Sequence, residues 1–363
     1  MTRQSDAITL NERPARDLGV EILRIISMLL IVCQHFINHG GFLKNAGDNE
    51  FFLNLIHVLF APSVNVFVLI TGYFSVNSRT LKVKKGIELW LQVLFYSLAM
   101  LPIASAFGAS ISNEYVYTAF TPIISRQYWF FSAYFVLFLI IPFISAMING
   151  ITKKQHLMLV IGIFVCAYLS TRFDISRVLS LAVGYSVLWF IMLFCIGAYL
   201  RKYPIRVNRI YLILAYLSTV AVHTVFRYHA NDTSKLVYKL IYCSTEYTEP
   251  LTLFAAICLF LIFCGIKSNG SPIHRFICYI GGCTFGVYLF HEAPKFRDVL
   301  YSNIFKTSDH WGRPYAALAV IGFALLTFAA GCIFETVRRL AFWLIKAAAS
   351  KIKNELSSPE GEK

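Results

Sequence analysis

Apolar residues run along the chain in long blocks, broken by short polar segments that carry most of the lysines and arginines. Ten blocks recur, at roughly 17–38, 51–76, 83–107, 128–149, 155–171, 183–201, 208–226, 249–266, 273–292 and 315–345. At about 1.5 Å per residue, a helix of about 20 residues crosses a hydrocarbon core of about 30 Å. The pattern therefore predicts an all-α, polytopic integral membrane protein of about ten transmembrane helices. The blocks follow one another too quickly for a separate soluble domain. The expected organisation is a tail over 1–16, a membrane domain over 17–345 and a second tail over 346–363.

The first block, "EILRIISMLLIVCQHFINHG" from Glu21, is not uniformly apolar. Arg24 and His35 are eleven positions apart, about 16 Å and three turns on a helix, so they share one face with Ser27 and Asn38. Each has a plain reading. A cation near a helix end reaches the head groups, and a histidine near the other end bonds a loop. A histidine shielded from bulk water but reached by a hydroxyl can instead act as a general base. The block is too long for a signal-peptide core and no small-residue cleavage site follows it, so it belongs to the expected fold.

Composition strengthens the membrane assignment: 57% of the side chains are apolar, 14% are charged and the mean hydropathy is +0.62. The net charge of +14 would suit nucleic acid, but its distribution points elsewhere. Roughly two-thirds of the lysines and arginines fall in alternate connecting segments, the bias that sets topology in a cell (inner) membrane with both termini cytoplasmic. The basic segments "SRTLKVKKG" and "RKYPIRVNR" contain no acid and suit anionic membrane lipid. The nine cysteines are scattered with no C-x-x-C pair, which supports neither a disulfide framework nor a zinc site; no metal is expected.

Three further stretches can carry chemistry. "VNVFVLITGYFS" leads into Arg79, Lys82, Lys84 and Lys85, charge that orients the chain or holds a polyanion such as a nucleotide phosphate. "SRQYWFFSAYF" places Tyr128, Trp129 and Phe130 beside Arg126 and Gln127; such aromatics form an interfacial belt or stack on sugar rings. "GGCTFGVYLFHEAP" puts Thr284, Tyr288 and His291 on one helix face, with Glu292 next in sequence. "RYHANDTSKLVYKLIYCSTEY" mixes aromatic and charged residues, as a folded cover over a pore would. Neither a Gly-x-Ser-x-Gly elbow nor His-Glu-x-x-His occurs.

Taken together, Arg24-x10-His35, "VFVLITGYFS" with its basic loop, "QYWFF" and "TFGVYLFH" occur in the order found in acyltransferase family 3, the integral-membrane bacterial O-acyltransferases, which the chain resembles over nearly its whole length. The resemblance implies transfer of an acyl group, usually acetyl, from cytoplasmic acyl-CoA to a sugar hydroxyl on the far side. Acetyl-CoA is then the donor, and a cell-surface polysaccharide or its lipid-linked precursor the acceptor. His35 serves the chemistry, Arg24, Lys84 and Lys85 the donor, and Arg126, Tyr128, Trp129 and His291 the acceptor. Lysines stand where many relatives carry an arginine pair, and no hydrolase-like domain follows, so direct transfer is expected. A transporter or flippase of the cell envelope is the alternative, which the absence of paired broken spans disfavours.

Overall fold

The computed structural model describes residues 17–173, 180–229 and 244–357. Among these there is helix and no strand, only an isolated bridge between Asp17 and Lys267. The helices are α1 (Leu18–Asn38), α2 (Glu50–Phe60), α3 (Ser63–Ser75), α4 (Val83–Ala106), α5 (Asn113–Phe120), α6 (Trp129–Gly150), α7 (Lys153–Arg172), α8 (Val187–Lys202), α9 (Arg209–His229), α10 (Pro250–Phe263), α11 (Pro272–His291), α12 (Pro294–Val299) and α13 (Ala316–Ser357). Every apolar block has become helix. The expected tail over 1–16, and 230–243 of the expected cover, lie outside the described residues.

Eight helical stretches are long and apolar enough to cross a membrane. The other two expected spans are α8, of 16 residues, and α10, of 14. At about 1.5 Å per residue both fall short of a core of about 30 Å. α8 offsets this by burial: Trp189, Phe190, Leu193 and Phe194 are fully enclosed. The block over 51–76 is split at Pro62, which has no N–H to continue a helix, into α2 and α3. α13 runs past the expected boundary at 345, because "KAAASKIKNELS" is rich in helix-forming Ala, Lys and Glu.

Local signals fix the helix starts. Asp17 caps α1 by accepting from Val20 N, and its second oxygen accepts from Gly265 N at 3.3 Å, tying α1 to the end of α10. Ser186 and Ser271 cap α8 and α11. Glycines then set the packing distance between α3 and α8: a Cβ on Gly72 would run into the Phe194 carbonyl, and one on Gly197 into that of Leu69. A buried bidentate pair, Arg172 to Glu249 at 2.8 and 2.9 Å, joins the end of α7 to the start of α10. A second buried acid, Glu335 on α13, accepts from Arg338, Arg339 and Tyr96 of α4.

Candidate active site

α1 and α11 lie side by side with their C-terminal ends together, which brings His35 against His291 and Glu292. His291 Nδ1 lies 2.7 Å from the Val287 carbonyl oxygen. A carbonyl only accepts, so this nitrogen carries the hydrogen and Nε2 of the neutral ring offers a lone pair. That Nε2 stands 3.0 Å from His35 Nδ1, which must therefore be the donor. The remaining nitrogen of His35, Nε2, is left with its lone pair, and His35 lines the central cavity. No described group bonds it.

Glu292 supplies the charge. Its Oε1 lies 3.1 Å from His35 Nδ1, and its Oε2 3.5 Å from Arg297 Nη1. The single Nδ1 hydrogen is directed at His291, and Glu292 Oε1 is buried with no hydrogen bond. A buried carboxylate in this state gains most when the neighbouring imidazole becomes a cation. The hydrogen bond fixes the tautomer, and the carboxylate sets a negative charge beside the ring.

The ligand atoms of His35, His291 and Glu292 lie within 4.8 Å of one another, a spacing that a metal centre also requires. Two imidazoles on one tetrahedral zinc, at about 2.0–2.1 Å each, stand roughly 3.4 Å apart. The 3.0 Å separation here fits a direct hydrogen bond better.

The central cavity, of about 240 Å³, runs along α1 from Arg24 and Lys85 to His35 and Trp129, between walls that include Met28, Phe67, Thr284 and Tyr288. Arg24 donates to Glu21 Oε1 at 2.8 Å and keeps a third of its side chain exposed. Glu21 is buried, and Gly281 packs so closely on it that a Cβ there would strike the carboxylate. A second pocket, of about 480 Å³, opens at the other end of α1 and is lined by Glu114, Tyr115, Arg126, Gln127, Trp129, Glu292 and Arg297. Burial pushes the Tyr115 phenol up to about 12, so it is a neutral donor, and its oxygen has no partner. Trp129 lines both spaces.

The family model for the acyltransferase domain of acyltransferase family 3 matches residues 17–335. The chain belongs to that family. It is a membrane acyltransferase, with multiple apolar helices of spanning length. No curated protein and no solved structure matches it.

Against this family assignment, the residues picked from sequence divide. Arg24, Lys85, His35 and Trp129 line the central cavity, and Arg126 lines the second pocket, where it is exposed and held at a positive φ of 55°. Lys84 turns away from the cavity into a groove between α4 and α13 with Arg338, Arg339 and Lys346. Tyr128 is 1% exposed and donates to the Leu289 carbonyl at 3.2 Å, which makes it a packing residue of neither space. His291 is fully buried against His35 and lines neither space. Sequence reasoning missed the part played by Glu292, by Glu21 beside Arg24, and by Tyr247, which lines the cavity while Asn65 donates to its carbonyl at 2.8 Å. The readable signal for Glu21 was its three-residue spacing from Arg24.

Proposed function

We propose that this acyltransferase is an O-acetyltransferase that takes its acyl group from acetyl-CoA on the cytoplasmic side and passes it to a hydroxyl of a cell-surface polysaccharide or its lipid-linked precursor. The observation that carries the reading is His35 lining the central cavity, with a free Nε2 and an Nδ1 committed to His291, while Glu292 beside it lines the second pocket and Trp129 lines both. The basic end of the cavity, with Arg24 and Lys85, suits the phosphates of the donor. The pantetheine arm then follows α1 for about 16 Å to His35. The second pocket suits a saccharide, with Trp129 and Tyr115 as aromatic surfaces and Arg126, Gln127 and Glu114 as hydrogen-bonding groups.

The chemistry follows from the tautomer. His35 Nε2 takes the proton of the acceptor hydroxyl as that oxygen forms its bond to the thioester carbonyl carbon. The carbon–sulfur bond breaks, and the departing sulfur receives the proton from His35 Nε2, giving an ester and free CoA thiol. In between, the imidazolium is stabilised by Glu292. Tyr288 has a buried hydroxyl with no partner and lines the same cavity, so it is the donor available to the carbonyl oxygen as negative charge develops there. The deciding experiment compares surface glycans by mass spectrometry from cells with and without the protein. Acetyl groups present only when the protein is made support the reading; identical glycans overturn the acceptor, and no consumption of acetyl-CoA by purified protein with extracted glycan precursors overturns the donor.

A further inference from the structure

Beyond Arg24 and Lys85, along α11, lies a recess of about 640 Å³ whose walls include Ser268, His274, Arg275, Tyr279, Gly282 and Arg339. Its relation to the central cavity is set by the helix. At about 100° per residue, His274, Cys278, Gly281 and Phe285 lie within about 60° of one line on α11. The first two face the recess and the last two face the cavity. Gly282 borders both, and at that point Arg339 Nη2 donates to its carbonyl. The recess therefore continues the cavity, along the same helix face, in the direction away from His35.

The recess is chemically suited to an anion. Arg339 is held in place by Glu335 Oε1 at 2.8 Å through its Nε. Because Glu335 is shared with Arg338 at 2.7 Å, the three groups together keep one net positive charge. Arg275 is exposed, and no described carboxylate pairs with it. His274 Nδ1 accepts from Asn269 N at 3.0 Å, so the hydrogen of its neutral ring sits on Nε2 as a further donor. No acid lines the recess.

We infer that this recess holds the 3′-phosphorylated adenosine end of the acyl donor, with Arg275 and Arg339 on the 3′-phosphate, while Arg24 and Lys85 meet the diphosphate nearer the reaction centre. This rests on the reading of acyl-CoA as donor. It assigns binding to residues of α11 and α13, away from the basic loop before α4, and it predicts that the enzyme distinguishes CoA from 3′-dephospho-CoA.

The test is calorimetric binding of CoA and 3′-dephospho-CoA to the full chain in nanodiscs. Wild type should bind CoA about tenfold more tightly than 3′-dephospho-CoA, the scale of one charge-assisted phosphate contact. Arg275→Ala should bring that ratio close to one, and Arg275→Lys should restore part of it. Arg206→Ala, removing an exposed cation that lines a different pocket, should keep the wild-type ratio. Arg275 is the residue of choice because Arg339 is built into the Glu335 network and its removal endangers folding. Equal binding of the two ligands by wild type, or a wild-type ratio in Arg275→Ala, or loss of the ratio in Arg206→Ala, overturns the inference while leaving the donor reading in place. Failure of wild type to bind either ligand overturns both.

Discussion

His35 and His291 are joined ring to ring, Nδ1 to Nε2 at 3.0 Å, across the seam between the first helix and the eleventh. Because the far nitrogen of His291 is committed to the Val287 carbonyl, the direction of this bond is determined, and with it the nitrogen of His35 that is free to take a proton.

Removing that nitrogen should stop the reaction. His35→Ala is expected to lower acyl transfer on the order of a hundredfold or more while the protein remains inserted and monodisperse in detergent. Turnover by purified, correctly folded mutant close to the wild-type rate would remove His35 from the chemistry.

His291 and Glu292 act through His35, so their losses should be smaller and should appear in kcat. Glu292→Gln keeps the shape and removes the charge beside the imidazole, and should cost about tenfold in kcat with little change in KM for acetyl-CoA. An effect confined to KM would make Glu292 a binding residue of the second pocket, which it also lines.

Donor affinity should divide between Arg24 and Lys84. Arg24→Ala is expected to weaken CoA binding about tenfold, since Arg24 lines the cavity and is steadied by Glu21. Lys84→Ala, in the neighbouring groove, should change it less than about twofold, because an exposed cation is screened. Titration calorimetry on both proteins decides; equal losses would return Lys84 to the donor site.

Tyr288→Phe deletes one oxygen from the cavity wall. If that hydroxyl meets the thioester carbonyl only as charge builds on it, kcat should fall by about tenfold or more, while binding of CoA measured without acceptor stays near the wild-type value.

Sidedness has its own check. Single cysteines at Thr80 and at Ser308, both exposed, in a cysteine-depleted background should react with an impermeant thiol reagent from opposite faces of the membrane, Thr80→Cys only after the cells are opened. The reverse pattern would separate Arg24 and Lys85 from cytoplasmic acyl-CoA.

Helix positions were legible because membrane burial enforces long apolar blocks, and Arg24 and His35 because a polar stripe stands out on them. The break at Pro62 and the shortness of α8 were less legible, since a buried helix is as apolar as one facing lipid. The pairing of His35 with Glu292 joins residues far apart in the chain and depends on how α1 meets α11, which periodicity does not encode. Tyr128 shows the converse: its place in "QYWFF" resembles that of Trp129, yet it stands just before α6 with a non-helical backbone, φ −121° and ψ 83°, and packs against Leu289.

Trp129 is stacked at 17° on Tyr247, with ring centroids 5.9 Å apart, and lies 4.2 Å from the ring of Tyr185. In a bilayer, an enzyme that admitted one reactant from each face through connected openings would also be a hole, discharging the ion gradients of the cell. The aromatic stack is then a bulkhead as well as a wall. Trp129→Ala should therefore be felt first as a loss of membrane potential in cells that overproduce it.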